Sequence, residues 1–170
     1  RLAGSPQQQN AAVWGKRNLE AMNPDKVYMQ PCKTPNWQRG GKDFAAIVGI
    51  NGKPMNQKLE ALALGNSLGS NGLVEADVLA VANFDELEKR KDEVKGKIVY
   101  YNSEFDPTYI QTFRAYGAAG VYRGTGASRA AKYGAVGVMI HSLSTAPDNA
   151  PHTGGMKYDS AYPKIPAVAL

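Results

Sequence analysis

Hydrolytic and metal chemistry near neutral pH calls for imidazoles, thiolates or carboxylates held close together. This 170-residue chain is sparing with the first two: its histidines are His141 and His152, and its one cysteine is Cys32. A catalytic zinc site takes three protein ligands and a two-zinc site about five. The sequence offers no H-E-x-x-H, no H-x-D and no cysteine pair, so no catalytic residue and no metal ligand is assigned. His141 leaves an apolar run and reads as a satisfied structural residue. His152, in Pro151-His152-Thr153-Gly154-Gly155, is the better candidate for a functional contact, although bracing of its own loop is preferred to ligand binding. Cys32 reads as a small half-buried strand residue, not a nucleophile. A Ser/His/Asp triad can be assembled on paper from any chain with this many Ser, Asp and Glu, and is not adopted. Gly124-Thr125-Gly126 lacks the third glycine and the preceding buried strand of a dinucleotide loop.

The elements that must position these groups start from Ile98-Val99-Tyr100-Tyr101, four residues that favour extended backbone and suggest burial on both faces. Ala135–Ile140 and Ile165–Leu170 read as its neighbours, the three forming the centre of one sheet. Ser5-Pro6 opens a helix to about Met22, with Ala12, Leu19 and Met22 turned inward and Trp14 as an aromatic anchor. Lys26–Lys33 reads as a strand. Asp43–Ile50 and Gln57–Leu64 read as strands around Asn51-Gly52, with a loop lengthened by Lys53-Pro54. Val74, Ala76, Val78 and Ala80 alternate with Glu75 and Asp77 as a half-buried strand. Asn83 caps a second helix, with Glu86 in the capping-box position and Leu87 and Val94 facing the core. Residues 109–122 read as extended or irregular, and Ala127–Tyr133 as a short helix. Residues 144–162 form a long loop carrying His152, Tyr158 and Tyr162, the two tyrosines read as exposed. A loop of that length without internal structure usually has a function.

A formal charge of +5 raises the question of nucleic acid. The basic residues are scattered, and the densest charged run, residues 86–93, alternates in sign, so a solvated surface is preferred and no nucleic-acid partner is expected. No apolar run approaches the roughly 20 residues of a membrane span. The chain opens on Arg1 and closes inside an apolar run at Leu170, which reads as a piece of a longer polypeptide.

Gly96–Asn102, Ala130-Ala131-Lys132-Tyr133-Gly134-Ala135 and Pro163-Lys164-Ile165-Pro166-Ala167-Val168 resemble, in order and spacing, the motifs of protease-associated (PA) domains inserted into zinc exopeptidases. Arg1–Ser5, Pro35–Gly40, Asn83–Leu87 and Ser142 through Gly154 are similar to the carboxypeptidase Q family and its bacterial aminopeptidase relatives. The resemblance implies an α+β, mainly β fold: a swivelling β/β/α PA-type domain over 34–170 with peripheral helices, preceded at 1–33 by a helix and strand of the peptidase domain. It implies a secreted or periplasmic parent that binds two zinc ions through residues beyond this segment. The segment itself would be non-catalytic, covering the active site, shaping access for a peptide or making a homodimer contact, with His152, Thr153 and Tyr158 facing the cleft. Its partner would be the rest of the peptidase domain. The rival readings are a free-standing peptide- or glycan-binding module and a self-sufficient hydrolase using His152 or Cys32.

Overall fold

The computed structural model describes residues 3–146 and 148–170, the Thr112 side chain excepted. Arg1 and Leu2 of the expected opening loop, and Pro147 of the long loop, therefore lie outside the described residues. The chain divides into two compact units, Arg1–Gly40 and Gly41–Leu170.

The first unit holds helix α1 (Pro6–Ala21), begun as expected: the Ser5 hydroxyl accepts from the Gln8 amide at 3.2 Å and Pro6 takes the first helical position. The inward face expected for it is not formed. Ala12 is half-buried, but Leu19 and Met22 are exposed, Met22 at 76%, and α1 buries none of its residues. The strand expected at Lys26–Lys33 is also absent. Extended chain persists as a strand only with a ladder partner, and none pairs with it among the described residues. Cys32 is consequently exposed rather than half-buried.

The second unit is α+β and, among the described residues, carries seven strands and two α-helices. Strands β1 (Ala45–Ile50) and β2 (Lys53–Leu59) form an antiparallel hairpin. The turn is the tight two-residue kind, not the longer loop expected, because Ile50 pairs directly with Lys53. Asn51 and Gly52 both take the positive φ that such a turn demands, 51° and 74°. The remaining strands are β3 (Leu62–Ala63), β4 (Val78–Val81), β5 (Ile98–Tyr101), β6 (Gly137–Ile140) and β7 (Ala167–Ala169). They lie in the order β3-β7-β6-β5-β4, with β4 to β7 mutually parallel and β3 antiparallel at one edge. The three strands read as central thus occupy the middle of the sheet.

Parallel neighbours need a crossover, usually helical. Helix α2 (Phe84–Lys89) with a 3₁₀ turn (Lys91–Glu93) links β4 to β5, and α3 (Thr112–Ala131) links β5 to β6. Two cross-sheet rows, Leu79-Val99-Val138-Ala167 and Val81-Tyr101-Ile140-Ala169, are buried in one core with Leu87, Val94, Ala127, Ala130 and Ala131. The row between them, Ala80-Tyr100-Met139-Val168, points the other way and is exposed or half-buried.

Two expectations fail here for the same reason. Strand β4 is shorter than the alternation at 74–80 suggested, and its register is opposite. Leu79 and Val81 are buried while Val78 is 54% exposed, because the covered side of the sheet is the side that carries Val99 and Tyr101. Residues 109–122, read as extended, begin the 20-residue α3, which also absorbs the short helix expected at 127–133. Its glycines and aromatics disfavour helix locally, but Ala115, Ala119, Gly126 and Ala130 recur at helical spacing and are buried. Packing of that small-residue face outweighs the propensity.

Candidate functional site

In an open parallel sheet the connections leaving the carboxyl ends of the strands line the place where ligands bind. Here those connections are the start of α3, after β5, and the segment 141–166, after β6. The second is the long loop carrying the three residues singled out from the sequence. It has almost no regular structure, yet it is held on two sides. Thr153 Oγ1 donates to the Ala63 carbonyl at 3.0 Å. Gly65 donates to the Gly154 carbonyl at 2.8 Å, and Met156 donates back to Gly65 at 2.9 Å, making a parallel bridge. The Tyr158 hydroxyl accepts from Leu68 N at 3.0 Å and donates to the Ile165 carbonyl at 2.6 Å. On the other side, Lys157 N donates to the Gly124 carbonyl at 3.0 Å and Asp159 N to Ser128 Oγ at 2.8 Å, both on α3. Met156 is driven into the core. Tyr158 and Tyr162, read as exposed, are half-buried against that core.

Of the three residues, Thr153 and Tyr158 direct their polar atoms at the protein backbone. His152 is exposed, with its amide donating to Ser142 Oγ. Its ring stands edge-on to Tyr116, centroids 5.7 Å apart at 84°. The Tyr116 hydroxyl accepts from Arg123 Nη1 at 2.6 Å, and the guanidinium carbon lies 5.0 Å from the Tyr116 ring centre. Arg123 presses against the loop at Gly154, where a Cβ would come within 2.8 Å of Cζ and Nη1. Tyr116 and Arg123 were not singled out from the sequence. They are seven residues apart, two helical turns, a relationship visible only once 112–131 is recognised as helix. Beside His152 on the chain, Pro151 joins Glu60, Ser142, Asp148 and Asn149 in lining an open depression of about 190 Å³.

Sequence reading passed over one spacing. Gly65-Asn66-Ser67-Leu68-Gly69 has the G-x-S-x-G pattern of a nucleophile elbow, but it forms no strand-to-helix turn. Ser67 is buried, and its hydroxyl donates to Leu68 O at 3.0 Å and accepts from Ala167 N at 2.9 Å, fastening β7. Among the described residues neither imidazole is hydrogen-bonded to a serine hydroxyl or a carboxylate. The His141 ring nitrogen Nδ1 lies 2.8 Å from the Ser142 carbonyl. Among the same residues no three His, Cys, Asp or Glu side chains gather where a metal could sit. They do not fit a zinc site. Among the described residues no helix is long and apolar enough to cross a membrane.

Two shifted acidities are explained by structure. Tyr101 has its phenol pushed up by burial while donating to the Gly126 carbonyl at 3.0 Å. Glu86 is held below the ordinary carboxylate range, first by the Ala82 amide and then by Arg90.

The loop, the crossover helix and the parallel sheet have close counterparts among known proteins, although no family model matches the chain. The solved structure of a peptidase M28 precursor from Shewanella amazonensis superposes with a TM-score of 0.87 at 32% identity, covering 99% of this chain and 37% of that one. An aminopeptidase from Aneurinibacillus sp. strain AM-1, 17% identical with a TM-score of 0.60, shares the fold. The chain is thus similar to a segment of an M28 peptidase. Along its whole length it resembles one region of carboxypeptidase Q, at 37% identity to the Xenopus laevis protein and 35% to the human one. The chain spans about a third of the length of these curated relatives, 34% in each case.

Proposed function

We propose that this chain is a non-catalytic region of a secreted or periplasmic zinc exopeptidase, in which residues 34–170 form a PA-type domain and residues 1–33 belong to the peptidase domain. Its role is to cover the active centre and shape the path of the peptide, or to contact a second subunit. The two zinc ions and the reacting groups lie in the further length that the relatives possess. The His152 segment faces the cleft, Thr153 and Tyr158 hold it in place, and His152 is the side chain presented. The single observation that supports this most is the bracing of 153–159 against both residues 63–68 and α3. A connection tied down on two sides makes a firm wall for a passing ligand, which a free loop does not.

The test has two parts. The purified 170-residue chain, dialysed against metal-free buffer, is assayed on dipeptide and aminoacyl substrates and for bound zinc. The expected result is no turnover and no stoichiometric metal. Turnover that disappears in His152→Ala would establish a self-sufficient hydrolase instead. In a relative of full length, the matching His→Ala change is expected to lower kcat/KM with zinc content unchanged.

A further inference from the structure

A sheet whose outermost strands carry unpaired backbone groups can add a strand from another molecule, and proteins prevent this with short, charged or covered edges. The five-stranded sheet has two such edges, β3 and β4. At the first, Leu64 N donates inward to the Ala167 carbonyl, so the backbone groups of Ala63 point outward. Both are met by side chains: Ala63 N donates to Asp43 Oδ2 at 2.9 Å, and the Ala63 carbonyl accepts from Thr153 Oγ1 at 3.0 Å. Gly65 is bridged by Gly154 and Met156. That edge is closed.

At the second edge, Ile98 N donates to the Asp77 carbonyl and Asn102 N to the Val81 carbonyl. Residues 77, 79 and 81 therefore turn their backbone groups to β5, and residues 78, 80 and 82 turn theirs outward. No strand among the described residues lies beyond β4. Side chains of α2 and its cap reach the edge instead. Arg90 Nη1 donates to the Ala80 carbonyl at 3.1 Å, and Glu86 Oε2 accepts from the Ala82 amide at 2.8 Å. The guanidinium is itself clamped, by Glu86 Oε1 at 3.2 Å and, through Nε and Nη2, by the two Glu93 oxygens at 2.9 Å each. Ion pairs this near the surface add little stability. This one occupies the place where a further strand would lie.

We propose that Arg90, clamped by Glu86 and Glu93, seals the β4 edge against strand addition by a second copy of this chain. A second copy is the partner the edge itself specifies. Antiparallel pairing of β4 with the same strand of another molecule, about Ala80, brings identical donors and acceptors into register around a two-fold axis. Apart from the clamp, β4 is built to pair: it reads Val78-Leu79-Ala80-Val81, without a charge or a proline, and Val78 and Ala80 are exposed. An incoming strand must pull the guanidinium off the Ala80 carbonyl and leave two carboxylates without their cation. The inference does not rest on the access-wall reading.

The experiment measures self-association of the 170-residue chain by sedimentation equilibrium over a concentration series. Arg90→Ala is expected to associate about tenfold more tightly than the unsubstituted chain, the scale of freeing one charge-assisted acceptor on each copy. Glu93→Ala keeps Arg90 but removes the partner that grips it through two bonds. It is expected to tighten association in the same direction, and it remains informative should Arg90→Ala not fold. Ala80→Pro, added to either variant, is expected to return association to the unsubstituted level. The Ala80 N–H points outward, so proline there removes a donor the incoming strand needs and leaves the ladder to β5 intact. Association in the folded variants no tighter than in the unsubstituted chain would overturn the proposal. So would tightened association that Ala80→Pro leaves in place, because the contact would then lie elsewhere.

Discussion

At Gly126 a single methyl group decides whether α3 can lie on the sheet. A Cβ built there meets the Tyr101 ring at 2.7 Å, and that ring is fully buried, in contact with Phe84 and Tyr122 at centroid distances of 5.5 Å each. The ring has nowhere to go. Gly126→Ala is therefore expected to cost about 1–3 kcal/mol, as overpacking does, read as a lower urea midpoint with an unchanged slope. Gly154 poses the opposite case. Its obstacle is the end of a long arginine side chain, which can swing away, so the same substitution there is expected to cost less stability. The sequence alone does not separate these two glycines. What separates them is the neighbour each one meets, and that neighbour comes from another part of the chain.

Helix α2 shows how far local rules reach. Asn83 Oδ1 accepts from the Glu86 amide at 2.9 Å, as its sequence announced, while Glu86 Oε2 accepts from the Ala82 amide at 2.8 Å, one residue before the cap. The Glu86 and Glu93 carboxyls are both held below their ordinary range, by the Ala82 amide and by Arg90 respectively. A carboxyl depressed by folding adds stability above its unfolded value, about pH 4.3 for Glu. That stability is lost as pH falls through the lower folded value. Stability is thus expected to fall on acidification below about pH 4.3, and Glu86→Gln to flatten that fall in a pH series of urea midpoints. An unchanged profile in the variant would contradict the assignment. Helix α3 marks the limit of the same rules. Its cap makes no side-chain hydrogen bond and its glycines and aromatics are poor helix formers, so the signal lay in the spacing of buried small residues. Because 109–122 reads as extended, Tyr116 could not be placed beside His152.

At the scale of the molecule, every buried hydrophobic side chain of the described residues lies at Ala45 or beyond, in the second compact unit. A chain of residues 41–170 is accordingly expected to unfold cooperatively, with a midpoint within a few degrees of that of the full chain. A large fall in midpoint by calorimetry would show that residues 1–40 contribute to the core. The sequence by itself determined what contiguous residues decide. The β-branched and aromatic run at 98–101, the Asn51-Gly52 turn and the caps at Ser5 and Asn83 are written in neighbouring side chains, and each forms. The order of the motifs also indicated the peptidase kinship. Tertiary structure alone decided which face of β4 is covered, that a glycine-containing stretch coils into α3, and that Tyr116 comes to rest beside His152. Those outcomes depend on packing free energy shared among residues tens of positions apart, and no local pattern encodes it.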